Sequence, residues 1–247
     1  MLFRDTLPQW NKCGRIFKCN NDEFFKSHTT RPIPYLLNNK ILRIYFSSRD
    51  VNDIPYPTFI DVDPLNPSKV LFVNSTPMMA LGGPGMFDDS GITPVSILRD
   101  GSEVLMYYVG WKRRRYGVTI ETSIGVARIV DSGKKLERIF DGPILAQDKY
   151  HPFLVAAPYV VKEDDAYRMW YCSATKWKNQ NDGLEMIYTV YQLKSNNKYD
   201  WHKPHFSEPV IQYKYDGEVI SAPWVERTLD GYIMWYSYRG SKTKIEK

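Results

Sequence analysis

Long apolar runs are missing from this chain, and so are the Ala/Leu/Glu/Lys periodicities of amphipathic helices. The first absence excludes an apolar membrane-spanning helix, and Met1 to Trp10 lacks the apolar stretch of a secretory leader. Cysteine is scarce. Cys13, Cys19 and Cys172 give neither a disulfide framework nor a zinc spacing, so a reducing cytoplasm is the expected location. A net charge of +5 over 247 residues is modest and forms no broad basic stripe, so no nucleic-acid partner is expected. The densest positive run, Lys112-Arg113-Arg114-Arg115, sits between two strand-like segments. It reads as a solvated loop, as a patch for an anionic polymer or phosphorylated sugar, or as the rim contact of a scaffold that binds protein. Gly82-Gly83-Pro84-Gly85 lacks the Lys-Ser/Thr and helix that make a phosphate loop. No motif calls for a cofactor, and no cluster of ligating residues requires a metal.

Aromatic residues, by contrast, are abundant: 15 % of the chain, with 18 Tyr and 7 Trp, suited to pleated and half-buried surfaces. They recur in a pattern. Thr93-Pro94-Val95 leads to Leu105-Met106-Tyr107-Tyr108, Ala157-Pro158-Tyr159 to Arg168-Met169-Trp170-Tyr171, and Ala222-Pro223-Trp224 to Ile233-Met234-Trp235-Tyr236. Pro34-Tyr35-Leu36 and Arg43-Ile44-Tyr45-Phe46 form a weaker first copy. The anchors Ile44, Met106, Met169 and Met234 are 62, 63 and 65 residues apart. Each copy reads as strand, polar turn, aromatic strand, with the proline at a strand start where a missing N–H is tolerated. Ser123 to Ala127, the turn Asp131-Ser132-Gly133, and Arg138-Ile139-Phe140 supply a third and a fourth strand. Four antiparallel strands per unit, repeated radially, make a propeller blade, and a β-sandwich does not repeat at this period.

The expected fold is therefore all-β, a β-propeller in one domain over 1–247, with units near 28–85, 86–150, 151–215 and 216–247. Only 13 residues follow Met234, so an incomplete ring at the C-terminus is expected unless Gly14 to Lys18 contributes a strand. Such a ring exposes strand edges.

In a propeller the starts of the first strands and the ends of the second strands share one mouth of the central channel. Five residues before the repeat proline stand Thr29 (beside His28), Asp89, Phe153 and Glu218; five past the anchor stand Arg49, Trp111, Ala174 and Arg239. Carboxylates, arginines and a Trp platform are what a sugar needs. Asp89 and Glu218 are the candidate general acid and base, and their separation would set the stereochemistry. Arg49 and Arg239 would anchor an acidic or phosphorylated sugar, and Trp111 would stack on it. Asp88 and Asp89 also belong to a good turn, where an Asp can simply hold backbone N–H groups. His28 and His151 are lone histidines near the same mouth.

Further strings carry a resemblance: Met86-Phe87-Asp88-Asp89-Ser90-Gly91-Ile92, Tyr107-Tyr108-Val109-Gly110-Trp111, Gly142-Pro143-Ile144-Leu145, Phe153-Leu154-Val155-Ala156-Ala157-Pro158 and Met234-Trp235-Tyr236-Ser237-Tyr238-Arg239. From about His28 to Arg239 the chain resembles bacterial glycosylase-like proteins related to the arabinanase, β-xylosidase and invertase clan of five-bladed propeller glycosidases, the family-43-like glycoside hydrolases. The resemblance implies a five-bladed β-propeller, a sugar at the axial pocket and three working acids. Asp89 matches the second-blade acid, and Glu218 matches the general acid one blade late. Where the first-blade base is expected, His28, Thr29, Arg31 and Pro32 stand instead. The candidate substrate-binding set is thus His28, Arg31, Arg49, Asp88, Trp111, His151 and Arg239. Two functions follow: a glycosidase or glycosyl-transferring enzyme, or a carbohydrate-binding propeller without the catalytic base.

Overall fold

The computed structural model describes residues 11–19, 25–114, 120–180, 183–204 and 208–240. Arg115 of the basic run, the leading segment 1–10 and the tail 241–247 lie outside the described residues. Among those described, one single-turn 3-10 helix, Asp131–Gly133, is the sole helical element. Everything else regular is strand. β1 (Ser27–Asn38), β2 (Ile41–Arg49), β3 (Pro55–Asp63) and β4 (Asn66–Val73) form sheet one in chain order. β5 (Ile92–Asp100), β6 (Glu103–Arg113), β7 (Ile120–Val130) and β8 (Lys135–Arg138) form sheet two. β9 (Leu154–Lys162), β10 (Tyr167–Gln180) and β11 (Gly183–Ser195) form sheet three, and β12 (Val219–Thr228) with β13 (Gly231–Arg239) forms sheet four. Every pairing is antiparallel. β5 lies against β1 and β9, and β9 against β12, so the first strands run side by side about one axis. This is an all-β propeller. A fifth sheet has no counterpart among the described residues, and Gly14 to Lys18 carry no strand.

The turns follow from their residues. Asn38 caps the first hairpin by accepting the Lys40 N–H at 2.8 Å, and Gly101 takes φ +61° in the second, a conformation only glycine adopts without strain. Three first strands also kink at one step. Arg31, Ala157 and Ala222 each have φ between 52° and 55°, each precedes a proline, and each marks a shift in the ladder to the second strand. The extra residue is a β-bulge that bends the inner strand around the axis. It also corrects the repeat. Val160 pairs Met169 and Val225 pairs Met234, each two residues beyond its proline, whereas Ile44 pairs Pro34. The first-unit equivalent of Pro158 and Pro223 is therefore Pro32, not Pro34, and the first-unit mouth position moves from Thr29 back to Ser27.

Each sheet buries a face against its neighbour. Tyr45 and Phe59 of sheet one meet Ile92, Met106 and Tyr108 of sheet two. Leu105, Tyr107 and Val126 meet Val155, Val160 and Met169 of sheet three. Trp170, Cys172 and Val190 then meet Ile220 and Val225 of sheet four. The outward face of sheet one, Ile44, Phe46, Ile60 and Val62, is covered by Phe17, Cys19 and Phe25 of the leading segment; the Phe17 and Phe46 ring centres are 5.8 Å apart. A fully buried Met or Leu at these seams contributes on the order of 2 kcal/mol. Polar bonds cross the seams too: Tyr45 Oη donates to the Gly133 carbonyl at 3.0 Å and Ser96 Oγ to the Pro158 carbonyl at 2.8 Å.

Candidate functional site

The ladders fix one end of the propeller. Arg49 pairs Ser27, Ala174 pairs Leu154, and Arg239 pairs Val219. Trp111 donates its N–H to the Gly91 carbonyl and accepts from Ser90, both at 2.9 Å. Arg49, Trp111, Ala174 and Arg239 thus stand at equivalent ends of four second strands, beside the starts of four first strands.

Between sheets one and two this end is cationic and aromatic. The Arg49 guanidinium lies 5.6 Å from the Trp111 ring centre, and Arg49 Nη1 donates to both oxygens of Asp53 at 3.0 and 2.8 Å. Those bonds hold the Asp53 carboxyl below the usual carboxylate range against an opposing desolvation, with the charges of Arg49, His28 and Arg113 adding to them. Arg113 Nη2 donates to the carbonyls of Asn52 and Asp53 at 3.3 and 3.2 Å. His28 is exposed, with Nδ1 2.8 Å from Ser27 Oγ. The Trp111 indole N–H is buried without a partner.

A second group draws on sheets one, three and four. Burial raises the Tyr188 hydroxyl, and the charges of both Arg239 and Arg31 pull it back. The same Arg31 charge opposes burial at Cys172, whose thiol rises to about 11. Arg31 from β1, Tyr188 from β11 and Arg239 from β13 therefore share one electrostatic environment spanning three sheets. Arg239 Nη2 also donates to Glu185 Oε2 at 2.9 Å. Tyr188 and Glu185 escape a motif search because no repeat marks them; Tyr188 pairs Ala174, the small member of the mouth set.

The two candidate catalytic acids are held locally. Asp89 Oδ2 accepts the Gly85 N–H at 3.0 Å and Oδ1 accepts the Ser90 hydroxyl at 2.7 Å. Its loop is pinned to β6, where Lys112 Nζ donates to the Gly85 carbonyl and the Arg113 N–H to Ser90 Oγ. Glu218 is 4 % exposed. Its Oε2 accepts the Lys214 N–H at 2.6 Å, and its own N–H closes on the Tyr215 carbonyl at 3.3 Å.

Two expected contacts lie inside rather than at the mouth. Asp88 is fully buried, and its Oδ2 accepts from Tyr108 Oη at 3.0 Å and from Arg138 Nε and Nη2 at 3.0 and 2.7 Å. His151 is 2 % exposed, edge-on to Tyr191 and Tyr171 at 4.6 and 6.0 Å. Burial pushes its imidazole down to about 4, with the Lys203 charge adding and Asp148 opposing. Among the described residues no group of three His, Cys, Asp or Glu could hold a metal ion, and no helix is long and apolar enough to cross a membrane.

No family model matches the chain. Over 239 residues, 96 % of this chain and 78 % of the other, it is 33 % identical to the uncharacterized protein Rv1502 of Mycobacterium tuberculosis. The chain belongs to the Rv1502 family. A second Mycobacterium tuberculosis strain carries a relative, MT1551, with the same identity and coverage. Several solved glycoside hydrolases share the fold of this chain. A thermostable family-43 glycoside hydrolase superposes with a TM-score of 0.59 over 84 % of this chain and 64 % of its own, at 17 % identity. The α-L-arabinanase of Cellvibrio cellulosa gives 0.55 over 87 % and 74 %, at 12 % identity. The levansucrase of Bacillus subtilis gives 0.62 over 94 % and 68 %, at 10 % identity. At such identities the likeness is one of fold.

Proposed function

We propose that this member of the Rv1502 family is a carbohydrate-binding propeller whose axial mouth takes an anionic sugar, a uronic acid or a sugar phosphate. The observation that carries this reading is the Arg49 guanidinium 5.6 Å from the centre of the Trp111 ring, a cation beside an aromatic wall. A planar guanidinium matches a carboxylate or phosphate in two-point geometry. Arg239, at the equivalent end of β13, and Arg31 on β1 add two more cations. The glycosidase-type neighbours support sugar as the ligand class.

Binding without cleavage is favoured by the acids. Asp89 spends both oxygens on its own turn, and Glu218 orders the turn before β12. Hydrolysis is the second reading, with Asp89 and Glu218 as acid and base, because both stand just before first strands, where the clan resemblance implies acids. Isothermal titration with uronic acids, sugar phosphates and their neutral parents, followed by product analysis, tests the choice. Saturable binding of the anionic sugars with no new reducing end supports the binding reading. Cleavage abolished by Asp89→Asn or Glu218→Gln replaces it with hydrolysis. No binding by any sugar overturns both.

A further inference from the structure

Off the axis, between sheets two and three, a shallow cleft is lined by Arg114, Glu121, Gln147, Phe153 and Trp177. Four segments meet there: the end of β6, the start of β7, the loop before β9 and the far part of β10. The space it encloses is only about 50 Å³, so the cleft is a shallow platform that one ring can lie against rather than a pocket that surrounds it. One wall is aromatic. Phe153 meets Trp177 at 5.9 Å and 68°, with Phe153 36 % exposed. The opposite wall is an ion pair, Arg114 Nε and Nη2 both donating to Glu121 Oε2 at 2.8 and 2.5 Å. Gln147 is rigid, since its amide donates to the Thr122 carbonyl at 2.6 Å and accepts from Ser123 Oγ at 3.3 Å.

The position is as informative as the lining. Glu121 pairs Lys112, one step along the ladder from Trp111 and Thr122. Arg114 lies three residues past Trp111, and Trp177 three past Ala174, so the cleft continues the axial mouth outward by roughly 10 Å along the strands. Arg114 is matched by Glu121, as Arg49 is by Asp53 and Arg239 by Glu185 at the mouth. The mouth adds Arg31, whereas the cleft lining has no cation beyond Arg114. The cleft therefore offers donors and acceptors beside an apolar wall. That combination fits hydroxyls and the apolar face of a neutral ring.

We infer that this cleft is a second sugar subsite holding a neutral ring, so that the ligand is an oligosaccharide whose acidic residue sits at the axis. The inference rests on the sugar-binding reading above. A chain bridging both subsites binds more tightly than its acidic residue alone, and the extra affinity belongs to the cleft.

The test is titration of the full chain with glucuronate and galacturonate, each free and as the acidic residue of a tetrasaccharide with three neutral sugars. The tetrasaccharide is expected to bind about tenfold tighter than the free acid. Trp177→Ala removes that gain and leaves the free acid unchanged, and Phe153→Ala does the same in part; thermal melting checks that both variants fold. A tetrasaccharide that binds no tighter than the free acid, or a gain that survives both substitutions, overturns the subsite and leaves the axial reading standing. Failure of every sugar to bind overturns both.

Discussion

The guanidinium of Arg49 rests 5.6 Å from the centre of the Trp111 ring while donating to the carboxylate of Asp53. The Arg49 side chain is 25 % exposed and that of Asp53 62 %, so the ion pair adds little to stability. Its worth is in placing a flat cation at the mouth. Arg49→Ala is expected to weaken binding of an anionic sugar about tenfold, with melting temperature unchanged. Titration and melting curves on the same preparation check this. A large loss of stability with affinity intact would show a structural arginine instead.

Asp88 and Arg138 form a different kind of pair, with the carboxylate fully buried. Taking one charge away leaves the other in a dry site, which costs about 3–5 kcal/mol. Asp88→Ala should therefore unfold at much lower urea, with Asp88→Asn intermediate because it keeps the shape. A loss below about 1 kcal/mol by urea titration would mean that Arg138 finds solvent unaided.

His151 makes stability depend on pH. Its folded pKa, about 4, lies below the unfolded value of 6.5, so the unfolded chain binds the extra proton first. Stability is full above pH 6.5 and falls as pH drops from 6.5 towards 4, by on the order of 3 kcal/mol for this group. Asp148, also lowered, adds a loss at more acid pH. His151→Gln should flatten the slope between pH 6.5 and 4 in urea titrations. An unchanged slope sinks the assignment.

Gly125 lets the rings of Tyr108 and of Phe87, from the loop before sheet two, lie directly against β7. A Cβ there would come 2.4 Å from Tyr108 Cζ and 2.6 Å from Phe87 Cζ, whereas one at Gly142 meets nothing within 4 Å. Gly125→Ala should cost about 1–3 kcal/mol by overpacking, and Gly142→Ala should be close to neutral. Equal effects in denaturant melts would mean that the Phe87–Tyr108 stack yields freely.

β13 pairs only with β12 among the described residues, and from Gly231 to Tyr238 it carries no charge. Where nothing covers it, an uncharged edge invites strand pairing between molecules. The chain should associate with rising concentration, and Ile233→Lys should reduce this in light scattering without lowering the melting temperature.

The repeat was legible because Met106, Met169 and Met234 face seams that recur once per sheet. The first register was not, because Pro32 and Pro34 stand two apart and only the ladder tells them apart. Asp88 and Asp89 look alike in the sequence, yet consecutive residues turn opposite ways. The inward one finds Arg138, 50 residues later, a partner no local pattern announces. The burial of His151 depends on Tyr171 and Tyr191 from two later strands, and the cleft depends on Trp177 reaching across from sheet three. Such placements come from tertiary contacts, which short-range spacing does not encode.

The seams have a dynamic consequence. Because each apolar cluster is shared by two adjacent sheets, no sheet owns a core, and cohesion is a sum over neighbours, as in repeat proteins. Sheets two and three each have a partner on both faces, while sheet four leans on sheet three alone among the described residues. Amide protons of β6 and β10 should exchange most slowly and those of β12 and β13 fastest among the described strands. Arg239 rides on the β12–β13 hairpin, so the position of its guanidinium follows the breathing of that hairpin.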